Sequence, residues 1–495
     1  MRGSLACLLV TLLLISSTSF AQDDPPVFDE EYLTSYAATL YTPYPVVQDY
    51  NGGGARARAM GNAFIGVSDD VTAVSWNPAG LYRREALYEQ PVLGLGYRSH
   101  KSDATFRDKP WGVWEEFDHS DTYNSWDLMS IIFPLRVKGH VIVGSLAYTR
   151  IGDEAHTGGM QVDTTLYYDL EDYLAGIQRP FGYQFLENYR SSVNALNIGF
   201  GTRIYGRWTF GVALNAYSGH GYRYSYENAR WDELELTNLP GGQRAVVEVV
   251  NQIYDTASYS GVYFTIGFQY DADRWKLGLV MKTPHTLKQE TDIFVDHSSL
   301  ANGAVIVGTA TGIHLDNNVT ELDEPFTIGA GVSVDVTKNF LFAVDLEYRA
   351  FGGGQIHYRD SLVLVPGGTD IEYFSDYDSY WNDVWSMRLG GEFLWETGSS
   401  IVPVVPLRAG LNYTQIPSPN VDGGGYEFNG SQVVWNPVTS TAAMNSFSFG
   451  SGAQWEQVHL DVAVVFTNYD RESALLLQES SVDNTSFNVT FTGFF

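Results

Sequence analysis

The sequence predicts an all-β chain, a transmembrane antiparallel β-barrel of about fourteen strands. Three observations carry this expectation. The final segment places Phe487, Val489, Phe491, Gly493 and Phe495 on one face and Asn488, Thr490, Thr492 and Phe494 between them. Such alternation suits a strand with lipid on one side and a wetter lumen on the other. The connections along the chain alternate between short turns and long polar stretches, as barrels with short inner turns and long outer loops require. Charged residues are only 18%, aromatics reach 14%, and no later apolar run is long enough for a membrane helix.

The elements follow in order. Met1-Arg2, the apolar run Leu5 to Ile15 and the small-x-small site Ser19-Phe20-Ala21 read as a signal peptide over residues 1–21. The single cysteine, Cys7, lies within it, so disulfides and thiolate chemistry are not expected beyond the leader. Residues 22–50 are acidic and Pro/Tyr-rich, and read as an extended arm. Asn51-Gly52-Gly53-Gly54 is a joint, and Ala55 to Phe64 can form a short helix.

Residues 87–495 supply the barrel. The candidate strands are 87–99, 125–137, 140–151, 192–204, 207–224, 259–271, 275–290, 325–337, 340–352, 384–396, 404–416, 445–455, 458–470 and 485–495. Short turns fall at 138–139, 205–206, 271–274, 338–339 and 456–457, an intermediate turn follows Glu396, and the other connections are long loops. With an even strand number every long loop falls on the outer side, which addresses the protein to the outer membrane of a Gram-negative bacterium. The terminal aromatics Phe491 and Phe495 are the expected insertion signal for the barrel-assembly machinery.

Strand faces can be assigned. Phe340, Phe342, Val344, Leu346 and Tyr348 face one way, and Leu341, Ala343, Asp345, Glu347 and Arg349 the other. A charge on the lipid face costs about 2–4 kcal/mol at midplane. Asp335, Asp345, Glu347, Arg388, Glu392, Arg408, Asn412, His459 and Asp461 are therefore assigned to the lumen, either as stiffening ion pairs or as a conduction path. Trp111, Trp126, Trp208, Trp275, Trp385 and Trp395 read as interfacial anchors.

The formal charge of −29 excludes nucleic acid as a partner. No serine is pinned to His459 and Asp461, so no catalytic residue and no cofactor is expected. Asp118, His119 and Asp121, and the stretch Asp422 to Gly425, resemble incomplete Ca2+ loops. They read better as solvated acidic loops that meet lipopolysaccharide through divalent ions, and no metal site is expected.

The segment Gly54-Ala55-Arg56-Ala57, Met60-Gly61, Ala63-Phe64, Asp69-Asp70 and Trp76-Asn77-Pro78-Ala79-Gly80-Leu81 resembles the N-terminal region of the FadL/TodX family of outer-membrane hydrophobic-compound transporters. PorV-like relatives of type IX secretion share this segment. Met281-Lys282-Thr283-Pro284, Asn339 to Tyr348 and Leu407 to Tyr413 are similar to later strands of the transporters, so the resemblance covers about residues 50–495. The long acidic outer loops depart from the family.

The resemblance implies fourteen strands and a lumenal hatch at residues 51–86, with Met60, Gly61, Phe64, Asp69, Asp70, Trp76, Asn77, Pro78, Ala79 and Gly80 as hatch or gate residues. Asn77-Pro78-Ala79 serves there as a structural turn or as part of the gate. It also implies a side exit through a kinked third strand, here at Gly144 and Ser145. The expected activity is passive transport of a long-chain fatty acid or another hydrophobic compound, which enters the lumen and leaves sideways. The alternative is a PorV-like component of protein secretion or surface attachment.

Overall fold

A computed structural model describes residues 52–82, 91–108, 115–166, 179–236, 243–301, 304–305, 311–362, 371–378, 381–417, 420–429, 432–473 and 478–495. The expected leader and arm, and Trp111, lie outside the described residues, as do residues 83–86 of the expected hatch.

Six unbroken strands come first: β1 (Val92–Asp108), β2 (Glu115–Val137), β3 (His140–Leu166), β4 (Arg179–Tyr205), β5 (Trp208–Leu236) and β6 (Gln243–Asp271). Six more are each interrupted once. They are β7 (Trp275–Lys282, His285–Ala301), β8 (Thr311–Glu324, Thr327–Asp335), β9 (Phe340–Arg349, Gln355–Leu362), β10 (Ile371–Asp378, Val384–Glu396), β11 (Val404–Gln415, Asn420–Asn429) and β12 (Gln432–Ser440, Ala443–Gln454). β13 (Val458–Ser473), β14 (Gln478–Phe494) and a two-residue piece, Ala304–Val305, that pairs with the outer end of β7 complete the sheet. β14 pairs antiparallel with β1 from Val92↔Phe494 to Asp108↔Gln478, which closes a fourteen-stranded barrel. The interruptions at Pro284 and Pro325 follow from proline, which offers no N–H to the ladder.

Alternation sets the two faces. Along β9 the buried residues are Ala343, Asp345, Glu347 and Arg349, while Phe342 and Leu346 are exposed to the outside. Trp385 and Trp395 of β10 both point outward ten residues apart, the length of one tilted crossing. The inner turn at Lys138-Gly139 has φ of 49° and 83°. That is the type I′ geometry matched to strand twist, and glycine adopts its second position without strain.

One expectation is corrected. Most of the described residues in the expected long loops are strand, and β5 and β6 reach 29 residues each. At about 3.3 Å per residue they extend roughly 95 Å, several times the 9–11 residues that span a membrane. Above the lipid neither face of a strand must be apolar. The hydrophobic alternation therefore fades while backbone pairing continues through Tyr-, Ser- and Asn-rich sequence.

Candidate functional site

Residues 52–82 fill the inner half of the lumen. Helix α1 (Ala55–Ala59) is shorter than the expected 55–64 and packs on β11 to β14. Its small side chains let it lie against the wall, with Ala55 and Ala59 against Ala463. A left-handed turn at Gly61, φ 60°, redirects the chain. Any Cβ there would overlap the Leu411 and Leu389 backbone, so only glycine fits. A short helix α2 (Ala73–Trp76) and a 3-10 turn (Pro78–Leu81) then rest against β4, β5 and β6.

Pro78 forces Asn77 out of the helical region, and Asn77 has φ −151° and ψ 103°. Its side chain fastens three pieces together. Oδ1 accepts from Ala79 N at 3.1 Å, and Nδ2 donates to Ile65 O at 3.1 Å and to Phe268 O on β6 at 3.2 Å. The wall makes room with glycines: a Cβ on Gly211 or Gly267 would overlap Pro78 or Asn77. Met60, Phe64 and Trp76 form an apolar centre with Ala343, and the Phe64 and Trp76 rings meet edge-on at 5.9 Å. A Cβ on Gly80 would overlap the Ser68 carbonyl, so that position also needs glycine.

Charges lock this plug to the barrel. Asp345 Oδ2 of β9 accepts from Phe64 N at 2.6 Å and from Ile65 N at 2.7 Å. Arg56 pairs with Glu392 at 2.9 Å and Asp69 at 2.6 Å, and Lys276 reaches Asp69 at 3.2 Å. Glu392 and Asp461 are also held by Arg408, at 2.5 and 2.7 Å. Burial opposes the charge on Arg56, but Glu392, Asp69 and Asp70 hold its proton well above the usual arginine value. Burial pushes the Asp70 carboxyl up against the pull of Arg56, and its Oδ1 accepts from Thr72 N at 2.9 Å.

The remaining residues assigned to the lumen divide. Arg388 and Arg349 both pair with Glu347, at 3.3 and 2.6 Å, and Asn412 is buried beside Thr414. His459 lies edge-on to Phe494 with ring centroids 5.0 Å apart. Asp335 is instead exposed at the end of β8, where its N–H donates to Arg274 O. Phe491 faces outward, and Phe495 N donates to Pro91 O beside the barrel closure. Among the described residues no His, Cys, Asp or Glu group could hold a metal ion.

The wall has a fork. β2 and β3 pair from Val137↔His140 to Leu128↔Thr149. Beyond that rung, among the described residues, β2 pairs only with β1 and β3 only with β4. Each strand has a register shift beside the fork, leaving Asp127 extra on β2 and Ile151 extra on β3. Bulges of this kind bend a strand and end its pairing. Gly144 and Ser145 lie lower, in unbroken pairs with Phe133 and Ile132.

Both bulged residues face inward. Asp127 accepts from Gly54 N at 3.2 Å and from Arg58 at 3.1 Å, so the base of the fork touches the plug. Ile151 belongs to a buried cluster with Val193, Tyr217, Tyr259, Tyr263 and Leu287. His285 stacks on Tyr263 there, at 4.7 Å. An apolar and aromatic lumen surface thus runs up to the break in the wall. The expected site residues did not include Asp127, Ile151 or these tyrosines. In the structure Asp127 and Leu128 are adjacent yet both buried, a break in alternation that the residue types alone do not show.

No protein-family model and no curated protein matches the sequence. Solved structures do. The Pseudomonas putida toluene transporter TodX matches at TM-score 0.53 and 14% identity, over 91% of this chain and 100% of that one. The CymD monoaromatic hydrocarbon channel matches at 0.50 and 13%, over 90% and 98%. A Pseudomonas aeruginosa FadL homologue matches at 0.52 and 11%, again over 90% and 98%. Closed by β1 on β14 and plugged by its own N-terminal segment, this chain has the fold of the FadL-type hydrocarbon-channel barrels.

Proposed function

We propose that the protein is an outer-membrane channel for a hydrophobic small molecule, released sideways through the β2–β3 fork. The observation that carries this reading is the meeting of the Ile151–Tyr263 cluster with the end of β2–β3 pairing. A solute moving straight down would meet the plug and its ion pairs. It would lose the burial free energy of its apolar surface, at about 25 cal/mol per Å2. A sideways path keeps that surface covered from lumen to bilayer. Toluene-type aromatics and long-chain fatty acids both suit such a path.

Uptake of labelled toluene and labelled oleate into cells carrying the protein tests it. Deleting Ile151 removes the extra residue of β3 and restores regular pairing with β4. Uptake of the transported compound should fall while the barrel stays folded, as read by heat-modified gel migration. Undiminished uptake would refute an exit at the fork. A bulky residue at Gly144, five positions from Thr149 along β3, tests the lower exit expected from sequence.

A further inference from the structure

The outward face of β10 to β14 holds a second feature, away from the fork and on the opposite side of the wall from the plug, whose Gly61 packs on the Leu389 and Leu411 backbone. A cavity of about 600 Å3 lies there, near the outer end of the lipid-facing belt. Its floor is Leu411, Phe447 and Phe466, which sit side by side on one rung and are 52%, 48% and 43% exposed. The rung above carries Asn445, Asn468 and Asp483, also side by side. One rung below the floor, β10 and β11 bear only Gly391 and Ala409, so the floor continues downward as a furrow.

The two rungs differ in what they recognise. Leu411, Phe447 and Phe466 are continuous with the lipid-facing belt and suit an acyl chain lying along the wall. The rim offers two amides, which donate and accept, and one carboxylate, which accepts only. Asp483 is the sole charged residue among those lining the cavity. A phosphate headgroup would meet that carboxylate with no cation to offset it. A headgroup of uncharged hydroxyls finds acceptors in Asp483 and both kinds of partner in Asn445 and Asn468.

We propose that this furrow binds one glycolipid of the surrounding leaflet, its acyl chain over Leu411, Phe447 and Phe466 and its neutral sugar on Asn445, Asn468 and Asp483. The site is separate from the transport path and goes beyond the proposed function.

Native mass spectrometry of the whole protein tests this, in octyl tetraethylene glycol ether micelles. The probes are monoglucosyl diacylglycerol, phosphatidylethanolamine and phosphatidylglycerol with matched chains. One glucosyl lipid should be retained, with a preference on the order of 5-fold or more over either phospholipid. Leu411→Trp fills the furrow and should abolish retention. Asn468→Leu with Asp483→Leu should retain lipid but lose the preference for sugar. Each variant is first checked for heat-modified migration. Equal or greater retention of a phospholipid overturns the proposal. So does glucosyl-lipid retention that survives Leu411→Trp.

Discussion

Asp345→Ala is the sharpest test of how the plug is held. The carboxylate oxygen accepts two hatch amides, Phe64 N at 2.6 Å and Ile65 N at 2.7 Å, and all three residues are buried. Truncation leaves two buried N–H groups without that acceptor. Each unsatisfied donor costs roughly 1–3 kcal/mol, so local docking should weaken by about 2–6 kcal/mol. At about 1.4 kcal/mol per tenfold, the plug around Phe64 should open roughly 30-fold to 20,000-fold more often. Amide hydrogen exchange on a peptide spanning residues 62–68 measures that opening directly. Conductance across a planar bilayer should rise in parallel. Asp345→Asn keeps an acceptor of the same shape and should fall between the two. Wild-type exchange of this peptide in Asp345→Ala, in a barrel with normal heat-modified migration, would falsify the anchoring role.

Other outcomes follow from the same geometry. Gly211→Val places a side chain where Pro78 now lies and should expel the 3-10 turn, seen as loss of exchange protection over residues 77–82. Arg56→Leu leaves the buried Glu392 with Arg408 as its remaining arginine and should weaken hatch docking by about 1.5–3 kcal/mol, whereas Arg56→Leu with Glu392→Leu should recover part of that loss in a hydrogen-exchange or urea titration. In the outer extension, the hydrogen bond to Asp376 raises the pKa of His357 above its ordinary value, although burial opposes it. That contribution is fully present below the unfolded value of about 6.5 and is lost as pH rises through the raised one. Exchange protection in Gln355–Leu362 and Ile371–Asp378, taken relative to the intrinsic rate at each pH, should therefore fall over that window, and a flat protection profile would remove His357–Asp376 from the account.

Much of the membrane-embedded wall was legible because lipid imposes a strict rule on every second residue. Asp345, Glu347, Arg388, Glu392, Arg408 and Asp461, polar positions that alternate with apolar ones, are all buried. The outer half of β3 to β6 was not legible. Water on both faces removes the alternation, and strand persists there by pairing alone. Asp335 shows the same limit at the other end: period two puts it on the inner face of β8, but the strand ends there and the side chain reaches solvent.

The sequence by itself determined the strand number, the two faces of the strands with clear alternation and the turn at Asn77-Pro78. Each depends on local spacing, on proline's restricted backbone or on the free energy of charge in lipid. Tertiary structure alone decided what those faces hold. That Arg56 meets Glu392, 336 positions away, and that Asp345 caps the Phe64 turn, depends on where a closed barrel places its far strands. The fork likewise comes from two single-residue bulges on neighbouring strands. Each is invisible alone, because a lone extra residue looks like ordinary noise in alternation. Only their coincidence beside one rung ends the pairing and opens the wall.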